Sequence, residues 1–318
     1  MNSFGKASLA LALLASFGLW SPQPAAAQKT YVAVGDSLAY GFKNFNPTPN
    51  QTTPGGPGFP GYASLYQADL TTQTGTTYNL LNLGIVGETT RTLFTSALGS
   101  GATNASLNSH YATGSPTQAG LLHTTLTTLG SDVGVVTIQV GANDVLQAFE
   151  TGGLAAVPGA LTQVQSNYTT LLTQIKADEG GGALSNVTIV GYYDPYASLS
   201  PTSPYAILRV VSPGATASLN AVLLQEAAAF GARYVDLAAP FAAHLPDYDR
   251  YVLANSAADA FPDPTGGGSP LPNDHPTDLG YALIAQTLAA PEPSAPAVLG
   301  LGVLSLGALA LRSRQRRA

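Results

Sequence analysis

The sequence predicts an α/β domain built on a parallel sheet. Three observations carry this reading. Strand-like and helix-like runs alternate over most of residues 28–290, the strand-like runs are short and apolar on both faces, and the stretch is long enough for one large core.

Taken in chain order, the first segment reads as an address and not as fold. Met1 to Lys6 is short and basic, Ala7 to Trp20 is apolar, and the segment closes on Ala25-Ala26-Ala27, the layout of a secretory signal peptide cleaved after Ala27. An uncleaved anchor is the alternative, although the apolar run is shorter than the ~20 residues of a full membrane span. The five strand candidates are Thr30–Gly35, Thr77–Leu83, Val133–Val140, Asn186–Tyr192 and Arg233–Leu237, rich in Val, Ile and Tyr. Helix candidates lie at Pro60–Leu70, Gln118–Leu129, Leu161–Ala177, Ala215–Phe230 and Thr277–Ala289. In the third, Leu161, Val164, Tyr168, Leu171, Leu172 and Ile175 return at helical spacing. Asn44–Pro60 and Asp259–Pro272, dense in Pro and Gly, show no periodic apolar face and read as long surface loops. Each lies beside a catalytic candidate, where long loops shape access.

The C-terminal segment, 291–318, is again distinct. Pro291-Glu292-Pro293 precedes an apolar run from Ala297 to Leu311, and Arg312, Arg314, Arg316 and Arg317 follow it. As a helix that run would be ~22 Å long against a bilayer core of ~30 Å. The order of these features resembles the PEP-CTERM sorting signal of exopolysaccharide-making Gram-negative bacteria, which implies sorting machinery that recognises the tail; a simple tail anchor is the other reading. Both ends together place residues 28–290 outside the cytoplasm, in the periplasm, at the surface or beyond.

Composition narrows the function classes. Residues 28–290 carry a net charge of −10, which repels phosphate backbones and argues against nucleic acid as a partner. There is no cysteine, so thiol chemistry, Cys-based metal sites and disulfides are excluded. Charged residues make up only 9% of the chain, which suits a surface of hydroxyls and amides.

Four blocks carry the chemistry. The first, Gly35-Asp36-Ser37-Leu38, directly follows the first strand, so Ser37 sits at the carboxyl edge of the sheet, where open α/β folds gather their sites. The second, Asn82-Leu83-Gly84-Ile85-Val86-Gly87-Glu88-Thr89-Thr90, follows the second strand. The third, Gly141-Ala142-Asn143-Asp144, follows the third strand, where the Asn-Asp pair also suits a helix cap. The fourth, Asn273-Asp274-His275-Pro276-Thr277-Asp278-Leu279-Gly280-Tyr281, places the one histidine of four that stands at a loop-to-helix junction; His110, His123 and His244 read as bystanders.

In this order the blocks resemble those of the GDSL/SGNH hydrolases. The resemblance implies a three-layer α/β/α sandwich around a five-stranded parallel sheet, and hydrolysis of carboxylic esters through an acyl-enzyme on Ser37. It makes His275 the base that takes the serine proton and returns it to the leaving alcohol. The oxyanion donors would be the Ser37 N–H, the N–H of Gly87 (Gly84 being the second choice) and the Asn143 side chain, with Asp144 fixing its turn. No metal or organic cofactor is required. Substrates in the family include short-chain esters, lipids, thioesters and acetylated sugars, and the tail adds an acylated exopolysaccharide to these candidates.

One position departs from the family pattern. The acid that orients the histidine usually stands three residues before it, where this chain has Pro272. Asp274 is the nearest carboxylate, although neighbouring side chains usually point apart. Asp278, Asp263 or a backbone carbonyl are the other options. Pro272 is also the one feature that favours a surface binding or structural protein with little or no turnover on the same fold.

Overall fold

The computed structural model describes residues 28–43, 61–95, 108, 110–111, 117–256, 260 and 272–291. The two terminal segments, the loop 44–60, Asp263 and nearly all of the second loop lie outside the described residues. Among the described residues, no helix is long and apolar enough to cross a membrane.

Five strands form one sheet: β1 (Gln28–Gly35), β2 (Thr77–Asn82), β3 (Val133–Gln139), β4 (Val187–Val190) and β5 (Arg233–Val235). They pair in the order β2-β1-β3-β4-β5, and every pairing is parallel. Tyr31 to Val34 of β1 and all of β4 are buried, as expected where helices cover both faces. Strand order reverses between β1 and its two neighbours. That reversal opens a crevice at the carboxyl ends of β1 and β3.

Among the described residues, eight α-helices flank the sheet: α1 (Ser37–Tyr40), α2 (Gly61–Thr74), α3 (Gln118–Leu129), α4 (Ala142–Gly152), α5 (Val157–Asp178), α6 (Leu208–Phe230), α7 (Ala238–Ala242) and α8 (Asp278–Ala289). Helix α2 packs on α8, while α3 packs on α5 and α5 on α6. The three-layer expectation is therefore met, with helices flanking the all-parallel sheet. Val164, Tyr168, Leu171, Leu172 and Ile175 of α5 are all buried, so the apolar stripe read from spacing is the face that packs. Each such side chain contributes ~1.5–3 kcal/mol on burial.

Helix α6 departs from the sequence expectation, and α1, α4 and α7 are not among the helix candidates. Helix α6 starts at Leu208, well before Ala215, and holds Pro213 inside. Proline there removes one backbone bond, and the apolar side chains on both sides of it keep the turns in place. Helix α4 was not foreseen as a helix at all. Its start lacks a side-chain cap, and Gly141 enters it with φ +130.

Candidate active site

The turn after β1 is held from three sides. Gly35 has φ +147, and a Cβ there would lie 2.0 Å from the carbonyl oxygen of Gln139 in β3, so only glycine lets the two backbones approach this closely. The Asp36 N–H donates to that same carbonyl at 2.9 Å. Gln118, buried at the start of α3, accepts from the Gly35 N–H at 2.5 Å and donates to the Gly35 carbonyl at 3.1 Å. Asp36 then caps α1, accepting from the Leu38 N–H at 2.9 Å through Oδ1 and from the Tyr192 hydroxyl at 2.6 Å through Oδ2. Burial pushes the Asp36 carboxyl up to about 7, although these two hydrogen bonds and His275 pull the other way. Ser37 is the first residue of α1 and retains 9% exposure.

His275 is fixed by its neighbours in sequence and space. The Asn273 Oδ1 accepts from the His275 backbone N–H at 2.9 Å and also lies 2.9 Å from the ring Nδ1. Asp274 Oδ1 stands 3.0 Å from the same Nδ1. The Asn273 Nδ2 donates to the Lys43 carbonyl at 2.6 Å, which settles the orientation of that amide. With two oxygens at Nδ1, that nitrogen carries the proton and Nε2 carries the lone pair. The His275 carbonyl accepts from the Leu253 N–H at 3.0 Å, the Tyr193 hydroxyl donates to the Asp274 carbonyl at 2.7 Å, and Phe42 meets the imidazole edge-to-face at 5.1 Å. Burial alone would raise the Asp274 carboxyl, but His275 outweighs it by charge and hydrogen bonding and holds Asp274 below the ordinary carboxylate value.

The blocks after β2 and β3 are tied together. Asp144 accepts from the Thr90 N–H at 2.8 Å and from the Thr90 hydroxyl at 2.7 Å, so it fixes the junction, as expected. Asn143 donates through Nδ2 to the Glu88 carbonyl at 2.9 Å and lines the cleft beside Ser37. Gly87 has φ +82, a backbone that favours glycine, but it is not among the residues lining the cleft; the Asn143 bond to Glu88 links its turn to α4. Gly84 uses its N–H on Asn82 Oδ1 at 2.9 Å, and a Cβ on it would meet the Tyr40 nitrogen at 2.5 Å. Its role is close packing against α1.

Ser37, Asn143, Asp274 and His275 therefore open onto one cleft, which spans about 860 Å³ with its mouth included. Asp278 does not join them, since it pairs with Lys43 Nζ at 2.7 Å. His123 pairs with Asp178 at 2.9 Å and His244 stacks on Tyr251 at 4.0 Å, and neither they nor His110 line the cleft. Asn273 and Gln118 are the functional neighbours that the sequence reading did not single out. An Asn two residues before the histidine is an Asx-turn signature and could have flagged the first; nothing local marks Gln118, whose partner is 83 residues away.

A profile of the GDSL-like Lipase/Acylhydrolase family matches residues 33–283. No curated protein sequence matches the chain. Among solved structures, the fold is similar to that of the lipase Lip_vut3 from a goat rumen metagenome, at 17% identity over 82% of this chain and 95% of that one, with a TM-score of 0.52. Similarity extends to phospholipase A1 from Streptomyces albidoflavus NA297 (19% identity, 82% and 99% coverage, TM-score 0.49). A mutant acetyl-xylooligosaccharide esterase from Geobacillus Stearmophilus is also similar (16% identity, 82% and 92% coverage, TM-score 0.47). At these identities the likeness is one of fold alone.

Proposed function

The chain belongs to the GDSL-like lipase/acylhydrolase family, and on that premise we propose that it hydrolyses carboxylic esters through an acyl-enzyme on Ser37. The observation that carries the reading is the convergence of Ser37, Asn143, Asp274 and His275 on one cleft at the carboxyl edge of the sheet.

Nε2 of His275 takes the Ser37 proton as Oγ attacks the ester carbonyl, and the carbonyl electron pair moves onto oxygen. The Ser37 N–H and the Asn143 amide, both on the cleft, stabilise that oxyanion. As the tetrahedral species collapses, the C–O bond to the alcohol breaks and the imidazolium returns its proton to the leaving oxygen. Water then repeats the sequence on the acyl-serine and releases the acid. Asp274 stabilises the imidazolium, while Asn273 holds its tautomer. Their position at Nδ1 supports turnover despite Pro272 and speaks for the esterase reading over a turnover-free binding protein.

We assign the chain to an exported enzyme on its N-terminal signal-like segment, with the C-terminal segment as a sorting or anchoring element recognised by processing machinery. Partners of this site are esters, with lipid and acylated exopolysaccharide as the candidate sources. The test is hydrolysis of p-nitrophenyl esters from acetate to octanoate by the protein and by Ser37→Ala. Turnover by the first and its loss in the second supports the reading; equal, near-background rates for both overturn it.

A further inference from the structure

We propose, resting on the reading of Ser37 as nucleophile, that the cleft is an acyl-chain site which selects straight-chain fatty acyl esters of medium length over acetyl esters. The acyl side is identified by the chemistry. The leaving alcohol must lie beside His275, which protonates it, whereas the carbonyl oxygen lies against Asn143. The substituent on the other side of the carbonyl therefore follows the wall that begins at Asn143.

That wall is apolar along its length. Helix α4 contributes Val145, Leu146 and Phe149, and α6 faces it with Leu208, Val211 and Leu219. On α6 these lie at helical spacing, so one face of the helix is turned into the cleft. From Asn143 to Phe149 the helix rises ~9 Å, the reach of a chain such as octanoyl. The lining continues to Leu154, which is exposed at the rim.

The polar groups in the cleft give a sugar little to bind. The hydroxyls of Tyr192, Tyr193 and Ser212 are engaged with Asp36, the Asp274 carbonyl and Asp194 at 2.6, 2.7 and 2.6 Å. Among the described residues, Asp36 and Asp274 are the only carboxylates of the lining, both held beside the serine and histidine, and no Lys or Arg lines the wall. A carbohydrate entering here would find only Asn143, Tyr196 and Thr216 as further polar side chains, too few to replace the water that it loses. A methylene, by contrast, gains up to roughly fourfold in kcat/KM when fully buried.

The test is kcat/KM for p-nitrophenyl acetate, butyrate, hexanoate and octanoate below their aggregation concentrations, with the whole protein. A rise on the order of tenfold or more from acetate to octanoate is expected. Val211→Phe, at a half-buried site on α6, should lower the octanoate-to-acetate ratio by about tenfold; that ratio, taken on one preparation, does not depend on the folded fraction. Lengthening the alcohol of acetate esters should give no such rise. Acetate turned over as fast as octanoate, a ratio unmoved in Val211→Phe, or a gain that follows the alcohol would each overturn the proposal while leaving Ser37 as nucleophile. If no ester shows Ser37-dependent turnover, the reading of the site fails and the proposal falls with it.

Discussion

Replacing Asp274 by Asn changes one charge and almost no shape. The carboxylate lies 3.0 Å from His275 Nδ1, and the Asp274 side chain is 23% exposed, so water screens the pair in part. At an effective dielectric constant of ~20 the bare attraction to an imidazolium at this distance is about 5 kcal/mol, an upper bound. A hydrogen bond to a charged group more typically contributes ~1.5–3 kcal/mol, which corresponds to a loss of roughly 10- to 150-fold in kcat. The loss stops there because Asn273 Oδ1, 2.9 Å from Nδ1, still holds the tautomer; where the tautomer is lost too, serine hydrolases fall by about 10⁴. His275 holds Asp274 below the ordinary carboxylate range, so Asp274 is ionised at neutral pH and the substitution removes a full charge there. Steady-state kcat on a soluble p-nitrophenyl ester measures it. An Asp274→Asn variant within about threefold of the parent, with Asn273→Ala falling further, would refute the role assigned to Asp274 and move the orienting function to Asn273.

Three further outcomes follow from the same geometry. Asn143→Ala should lower kcat by roughly 100- to 1,000-fold with little change in KM, since its amide acts on the transition state, and a KM effect alone would contradict that placement. Gly35→Ala drives a Cβ to 2.0 Å from the Gln139 carbonyl, a cost on the order of 4 kcal/mol or more; calorimetry should show Tm lowered by roughly 8–16 °C, and a near-native Tm would count against the tight β1/β3 approach. Burial, with Asp36 and Asp144 adding to it, raises Glu88 from 4.5 to about 8. The folded state thus keeps a proton that the unfolded chain releases near 4.5, so this group's contribution is complete below that pH and is lost as pH rises towards 8, by up to roughly 1.4 kcal/mol per unit. Glu88→Gln should flatten the slope of unfolding free energy against pH in that window, and an unchanged slope would rule Glu88 out as its source.

The sheet was legible because buried parallel strands announce themselves locally, as in Val135 to Val140, and α5 because Val164, Tyr168, Leu171, Leu172 and Ile175 repeat at one helical face. That Ser37, Asn143 and His275 meet at one cleft was legible because each stands in a short block just after a strand or before a helix. What escaped was set by contacts distant in sequence or by context. Pro213 reads as a helix breaker when only its backbone is considered, yet packing carries α6 through it and brings Leu208 and Val211 to the cleft. The clamp of Gln118 on Gly35 joins residues 83 apart. The group behind His275 was ambiguous because adjacent side chains normally diverge; the Asx turn at Asn273 is what lets Asn273 and Asp274 meet the same nitrogen.

The central claim is that the Ser37 hydroxyl, made nucleophilic by His275, forms the covalent intermediate. Intact-protein mass spectrometry after exposure to a fluorophosphonate, which phosphonylates activated serines with loss of fluoride, tests it most directly. One adduct per chain is predicted, mapped to the Ser37 peptide, absent in Ser37→Ala and strongly slowed in His275→Ala. No adduct, or an adduct that persists in Ser37→Ala, would contradict the account.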